Sequence, residues 1–335
     1  MRPKQSVNSR DVARLAGVSQ STVSKVINNS AVLTAETRAR VIQAAQTLGY
    51  SLTAHKNKYQ MALIFPGNSI SGYIGDMLTG LLIEMEKRNI SVEIVSDKNL
   101  GLLNERCVDC AITFDWRKEF FDIYNRTVTL PLVRINGASN HLNDVYSVLI
   151  DGIGSMQNLI RRLWKLGHRK IGFFFFDPLE HELDNQAKRQ EGFLLAMRSY
   201  GVENPEQFCT YDCTNRSNIE LIKLLKSWYD DGITALIFAN SAGTTKMFSI
   251  INALNIKVPG DLTLVGWEDE VVSPFTTPPL STFYPDPYIQ AKAAVDLAEK
   301  IITRQKNISD VILPYQWIER KSIAPPRIKP PDANT

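Results

Sequence analysis

Three groupings of side chains in this 335-residue sequence have types and spacings that can do chemistry. Cys107-x-x-Cys110 and Cys209-x-x-x-Cys213 carry thiols at spacings that suit zinc. The two pairs lie far apart, however, and 107–110 leads into the apolar run CAITF. Four thiolates would have to meet across distant segments, so buried small hydrophobes are the simpler role. Gly152-x-Gly154 resembles half of a phosphate-cradling dinucleotide loop, but position 157, where a third glycine belongs, is Gln. The third grouping is the stretch Ser19, Gln20, Ser21, Thr22, Ser24, Lys25 and Asn28, a dense set of short hydrogen-bonding side chains suited to base edges and phosphates.

Nothing else points to a reaction. There is no Gly-x-x-x-x-Gly-Lys loop, no His-Glu-x-x-His and no Gly-x-Ser-x-Gly elbow. The four histidines, His55, His141, His168 and His181, are scattered, and His168 sits in a turn, LGHRK, where an imidazole can bond to backbone. No nucleophile–base pair is visible, so neither an enzyme nor a cofactor is expected. The N-terminal fifteen residues lack an apolar core for export, and no apolar run approaches the roughly 20 residues of a membrane span. A cytoplasmic chain without membrane contact is expected, nucleoid-associated when DNA is bound.

Charge supports the third grouping. The net charge is only +3, but residues 1–58 hold nine Lys and Arg against Asp11 and Glu36, a balance of +7. Residues 59–335 carry 29 basic and 33 acidic residues, a balance of −4. A basic head on a mildly acidic body suits a polyanionic partner.

The elements that must position those side chains are short helices. Asn8 caps the first, with Asp11 near its positive end and Val12, Ala13, Leu15 and Ala16 as its apolar stripe; Gly17 stops it. Val18 plugs the turn. Ser19 caps a second helix whose Val23, Val26 and Ile27 face inward, leaving the polar set outside. Thr34 caps a third that ends at Gly49. Two short helices joined by a Gly-containing turn can place the second in a DNA major groove.

Residues 11–50, DVARLAGVSQSTVSKVINNSAVLTAETRARVIQAAQTLGY, closely resemble the DNA-binding headpiece of the lac/galactose repressor (LacI/GalR) family. The resemblance implies that Gln20, Ser21 and Lys25 read bases, and that Ser19, Thr22, Ser24 and Asn28 contact phosphates or seat the helix. After Gly49-Tyr50 the family pattern is broken. The usual Pro-Asn and Ala-Arg-x-Leu hinge helix, whose Leu wedges into the minor groove, is replaced by SLTAHKNKYQ. Leu52 falls at the Pro position and Tyr59 at the wedge. Lys56 and Lys58 are placed either to touch phosphates or to solvate a plain basic linker.

From Met61 onward, apolar runs such as MALIF, ISVEIV, CAITF, LPLVRI, YSVLI, KIGFFFF, ITALIFA and LTLVG alternate with helical patterns. That alternation predicts parallel sheets buried on both faces, too many strands for one small sheet, hence two α/β lobes. The fold class expected is α/β: a small all-α helix-turn-helix headpiece plus a two-lobed core of parallel sheets flanked by helices. By the resemblance, carried by LGHRKIGF, RQEGF, ITALIFANSAGTTKMF, VPGDLTLVGWEDE and WIERKSIAPP, the core is similar to periplasmic sugar-binding proteins. It implies a headpiece and linker at 1–58, one lobe from 61–153 plus 284–314, a second from 154–283 plus 315–327, and a tail at 328–335.

The resemblance further implies a small-molecule effector, sugar-like, bound between the lobes. Its candidate residues are Tyr73, Arg189, Asn240 and Glu268, with Asn136 and Asp151 weaker ones. Each has a plainer alternative: Arg189 could pair with Glu191 or another surface acid, Glu268 could serve packing, and Tyr73 could be a core aromatic. Departures are evident too. Ser241 stands where the family has Asp, and KNLGLLNERC is short where a longer helix is usual. The expected function is a sequence-specific repressor acting as a homodimer on a pseudo-palindromic operator. The alternative is a DNA binder whose core no longer senses a small molecule and instead docks a protein or binds constitutively. The tail RIKPPDANT has no heptads, so a tetramerising coil is not expected.

Overall fold

A computed structural model describes residues 7–27, 33–50, 52, 59–65, 70, 72–115, 118–137, 144–176, 185–239 and 243–327. The chain divides into two compact units. Unit 1 comprises Met1–Leu149 with Pro287–Val311, and unit 2 comprises Ile150–Asp286 with Ile312–Thr335. The head is grouped with unit 1. The chain crosses between the units after Leu149, Asp286 and Val311.

In the head, α1 (Ser9–Ala16), α2 (Gln20–Ile27) and α3 (Ala35–Leu48) pack around Val12, Ala13, Val23, Val26, Val41, Ile42 and Ala45. Asn8 accepts from the Arg10 and Asp11 amides, and the Asp11 carboxylate accepts from the Asn8 amide, a reciprocal capping box. Gly17 and Gly49 end α1 and α3 with φ of 65° each, in the left-handed region where glycine is least strained. The Ser19 hydroxyl accepts from the Thr22 amide at 3.1 Å, and Thr34 Oγ1 caps α3 through the Thr37 amide. Val18 is partly buried against this core.

Each unit then builds a six-stranded sheet. The first sheet, mainly in unit 1, has the order β11-β5-β4-β3-β1-β2, from β1 (Tyr59–Phe65), β2 (Ile90–Ser96), β3 (Cys110–Thr113), β4 (Leu132–Ile135), β5 (Val145–Ile150) and β11 (Val311–Leu313), the last of which starts at the final residue of unit 1. In unit 2 it is β12-β10-β9-β8-β6-β7, from β6 (Ile171–Phe175), β7 (Cys209–Thr210), β8 (Ala235–Ala239), β9 (Thr263–Trp267), β10 (Ser281–Tyr284) and β12 (Gln316–Ile318). The two orders are the same topology met twice. Strands β1 to β5 and β6 to β10 pair in parallel, and β12 runs antiparallel to β10.

The run Phe173–Phe176 shows how sequence becomes layers. Alternate side chains of a strand point to opposite faces. Phe173 and Phe175 accordingly join the core with α6 (Gly152–Leu166) and α7 (Asn185–Ser199). Phe174 and Phe176 join the opposite core with α8 (Asn218–Asp230) and α9 (Gly243–Ala253). Full burial of such a ring contributes on the order of 2 kcal/mol. In unit 1, α4 (Gly72–Lys87) packs on α10 (Pro287–Ile302) so closely that a Cβ at Gly80 would stand 2.9 Å from that of Ala291. The short segment after β2 forms a 3-10 helix at Asp97–Glu105 instead of a long α-helix, and α5 spans Lys118–Thr127.

The glycine pair at 152–154 has a structural explanation. Asp151 caps α6 by accepting from the Gly154 amide at 2.8 Å, and a Cβ at Gly154 would collide with that carboxylate. Cys107 and Cys110 lie in unit 1, Cys209 and Cys213 in unit 2, and among the described residues no group of three or more potential metal ligands forms. Burial pushes the Cys209 thiol up to about 12. Among the described residues, no helix is long and apolar enough to cross a membrane.

Candidate functional site

The first candidate surface is α2. Gln20, Ser21, Ser24 and Lys25 are exposed, Thr22 is half-buried, and Val23 and Val26 on the opposite side are fully buried. Ser19, outside the helix, holds its hydroxyl within 2.7 Å of Ser21 and 2.9 Å of Thr22. The Gln20 amide donates to Ser9 Oγ at 2.9 Å, which ties the start of the helix to α1. The surface offers short donors and acceptors plus the Lys25 cation, the inventory that reads base edges and neutralises phosphate. Asn28, Lys56 and Lys58 lie outside the described residues.

The second candidate region is the carboxyl ends of the strands, where open α/β sheets take ligands. In unit 1, Tyr73 opens α4 after β1 and Asn136 follows β4. The structure brings them together: Asn136 Nδ2 donates to the Tyr73 hydroxyl at 2.9 Å, and that hydroxyl donates to Gln290 Oε1 of α10 at 2.8 Å. Asn136 has φ 63°, in the left-handed region, and its Oδ1 is buried without a hydrogen-bond partner. Asn takes that backbone conformation readily, so the unmet acceptor is the unusual feature of this residue. Beside it, Arg134 is 2% exposed, lies 4.5 Å over the Phe121 ring and donates to the Asp115 carbonyl at 3.4 Å; burial lowers its pKa to about 10.

In unit 2, Arg189 on α7 is buried. Its guanidinium donates to the Tyr315 hydroxyl at 2.8 Å and faces Glu268 at 3.8 Å; its carbon lies 5.4 Å from the Trp267 ring centroid. The acid it faces is thus Glu268. Burial raises the Tyr315 phenol, and the nearby Arg189 charge opposes that shift. Glu268 has φ 101°, a strained value for a side-chain-bearing residue. The three acids of GWEDE divide their roles. Glu268 meets Arg189, while Asp269 forms a two-pronged pair with Arg320 at 2.6 and 2.8 Å. Glu270 accepts from the Thr244 amide at the start of α9. Asn240 lies outside the described residues.

Four residues of these clusters escaped sequence reasoning: Gln290, Arg134, Trp267 and Tyr315. Gln290 is an amide on the buried face of α10, and Arg134 is a cation inside an apolar strand, both detectable as polar residues in apolar company. Trp267 adjoins Glu268 in sequence. Nothing in the sequence marks Tyr315.

The arrangement is that of a helix-turn-helix head on a doubled, periplasmic-binding-like core. A family model for bacterial regulatory proteins of the lacI family matches residues 10–51, and one for periplasmic binding protein-like domains matches residues 160–323. Among curated relatives, the HTH-type transcriptional regulator GalS of Salmonella typhimurium is 25% identical over 86% of this chain and 88% of its own. The HTH-type transcriptional repressor PurR of Pasteurella multocida is 26% identical over 94% and 98%. Two solved structures share the fold. A CelR–cellobiose complex has a TM-score of 0.67 at 23% identity, covering 95% of this chain and all of its own. The lac repressor dimer bound to operator and the anti-inducer ONPF has a TM-score of 0.66 at 20% identity, covering 95% and 99%. The head is thus that of the lacI family of bacterial regulatory proteins, and the chain is a DNA-binding transcriptional regulator.

Proposed function

We propose that this regulator represses transcription as a homodimer on a pseudo-palindromic operator and that a small hydroxylated effector controls it. The observation that carries the effector reading is the Arg189–Glu268 pair. A buried guanidinium fork beside a strained carboxylate, walled by Trp267 and Tyr315, offers donors and acceptors at once. The pair is neutral in sum, which suits sugar-like hydroxyls better than a strongly charged acid. Within unit 1, the Tyr73–Asn136–Gln290 chain offers a second set of polar partners for hydroxyls, and Asn240 is proposed as a further effector residue. In this reading Gln20, Ser21 and Lys25 read bases, while Ser19, Thr22, Ser24, Asn28, Lys56 and Lys58 serve the backbone. The organisation is a headpiece at 1–58, two lobes and a short tail, and the protein works in the cytoplasm.

The test is selection of duplexes from a random pool by the full-length protein at about 150 mM salt, which weakens sequence-independent phosphate binding. A two-fold symmetric motif of about 14–20 base pairs is expected from paired reading helices. That duplex then serves as the probe for a panel of sugars, sugar acids and purines. Enrichment of no motif would sink the sequence-specific reading. Unchanged binding across the panel would sink sugar control.

Homodimerisation is supported by a surface of unit 2. Val271 and Phe275 are 85% and 79% exposed, unusual for such side chains, and Val272 lines a groove against Thr245, Phe248 and Ser249 of α9. Phe275→Asp is expected to raise the dimer dissociation constant about 30-fold, the effect of one interface anchor worth about 2 kcal/mol. Sedimentation equilibrium reads this directly, and an unchanged constant would place the interface elsewhere.

A further inference from the structure

The linker of this chain lacks the hinge-helix pattern of its family, so something else must hold the reading helix in register. We propose that the headpiece is fixed by direct docking onto the amino end of the unit-1 sheet, a joint that takes over the positioning role of a hinge helix. The proposal rests on the DNA-binding assignment and goes beyond it to say what aims the helix.

Several independent contacts build the joint. Leu52, where the family pattern has Pro, is only 5% exposed and packs into the headpiece core, which Cys107 of the lobe also touches. The Cys107 thiol, which burial raises to about 11 and so keeps protonated, donates to the Val26 carbonyl at the end of α2 (3.8 Å). Thr129 Oγ1 donates to Gln46 Oε1 of α3 at 3.3 Å. The Arg304 guanidinium lies over Gly49, where any Cβ would strike it. That places a cation at the negative, carboxyl end of α3.

The lobe residues involved precede β3 and β4 or follow α10, so the joint sits at the amino end of the sheet. Tyr73 and Asn136 belong to its carboxyl end. Between the surfaces remains a cavity of about 250 Å³, lined in part by Ile42, Tyr50, Asp109 and Asp144. The reading side chains Gln20, Ser21, Ser24 and Lys25 are exposed and do not line it. A docked headpiece is therefore free to meet DNA, which is why the joint positions rather than blocks.

Two exposed lobe residues allow a test that leaves both cores intact: Arg304→Glu, which puts a negative charge against the helix end, and Thr129→Glu. Full-length wild type and variants are compared by amide hydrogen exchange and by titration of two duplexes, one with paired half-sites and one with a single half-site. The variants are expected to exchange the Tyr50, Leu52 and Val108 amides at least ~10-fold faster, the mark of local opening. They should lose at least ~10-fold in affinity for the paired site and stay within about 2-fold on the single one, since only pairing needs fixed spacing. Wild-type amides at the joint that exchange as an open chain does would overturn the proposal. So would variants that bind the paired site as well as wild type, or better. If wild type binds neither duplex, the DNA-binding assignment fails on its own, and the exchange data still decide the docking.

Discussion

Arg189→Ala should cut effector affinity about 100-fold, the result of removing one partner of a desolvated charge pair at about 3 kcal/mol. The guanidinium is buried, so no water can readily take its place beside Glu268 and the Tyr315 hydroxyl. Truncation leaves that hydroxyl buried without its donor, which costs stability as well, about 1–3 kcal/mol. The two effects separate by measurement. Calorimetry follows the melting of the core, while titration of the operator complex with effector follows the site. Operator affinity without effector should stay within about 2-fold, because coupling is a property of the pair of ligands and not of either alone. Arg189→Lys should recover little, since an ammonium lacks the planar fork. Full effector response in Arg189→Ala would remove this residue from the site.

Val23→Asp should abolish operator binding while sparing the core. Val23 is fully buried at the centre of a very small headpiece core. Domains of that size are marginal, with stabilities of about 3 kcal/mol. A carboxylate forced into their interior costs about 5 kcal/mol or escapes by unfolding. A net deficit of about 2 kcal/mol leaves roughly one headpiece in thirty folded, and a dimer needs two, so paired-site affinity falls about 10³-fold. The core should still melt within a few degrees of wild type. Retained operator binding would mean that α2 is not held by this core.

Local signals in the sequence were strong where chemistry is local. Asn8, Gly17, Ser19, Thr34 and Gly49 mark helix ends because capping depends on neighbours within four residues, and all five sit where those rules put them. The four consecutive phenylalanines announced a strand buried on both faces. The strand β7 is only two residues long, and β12 three, too short for any periodicity to register. The sites were legible only in part. Tyr73 and Asn136 meet across 63 positions and Tyr73 and Gln290 across 217, separations that only the topology closes. The Asn136-Gly137 dipeptide was a usable turn signal, and it marks the left-handed residue that carries the unmet acceptor. Tyr315 reaches Arg189 from 126 positions away, out of a connection with no distinguishing pattern.

The three crossings between units carry a consequence for synthesis. Neither unit is made of one continuous stretch, since unit 1 waits for 287–311 and unit 2 for 312 onward. As the chain leaves the ribosome, the headpiece can close at once from its first fifty residues. The sheet of unit 1 cannot: α4 must hold its Gly80 face uncovered until α10 arrives more than two hundred residues later. At translation rates of about 5–20 residues per second, that is an interval of ten seconds or more. During it, an apolar helix face and an unfinished sheet edge stand open to association with other nascent chains. Truncated products ending before Pro287 should accordingly be sticky and chaperone-dependent, even though they contain every residue of the DNA-reading helix.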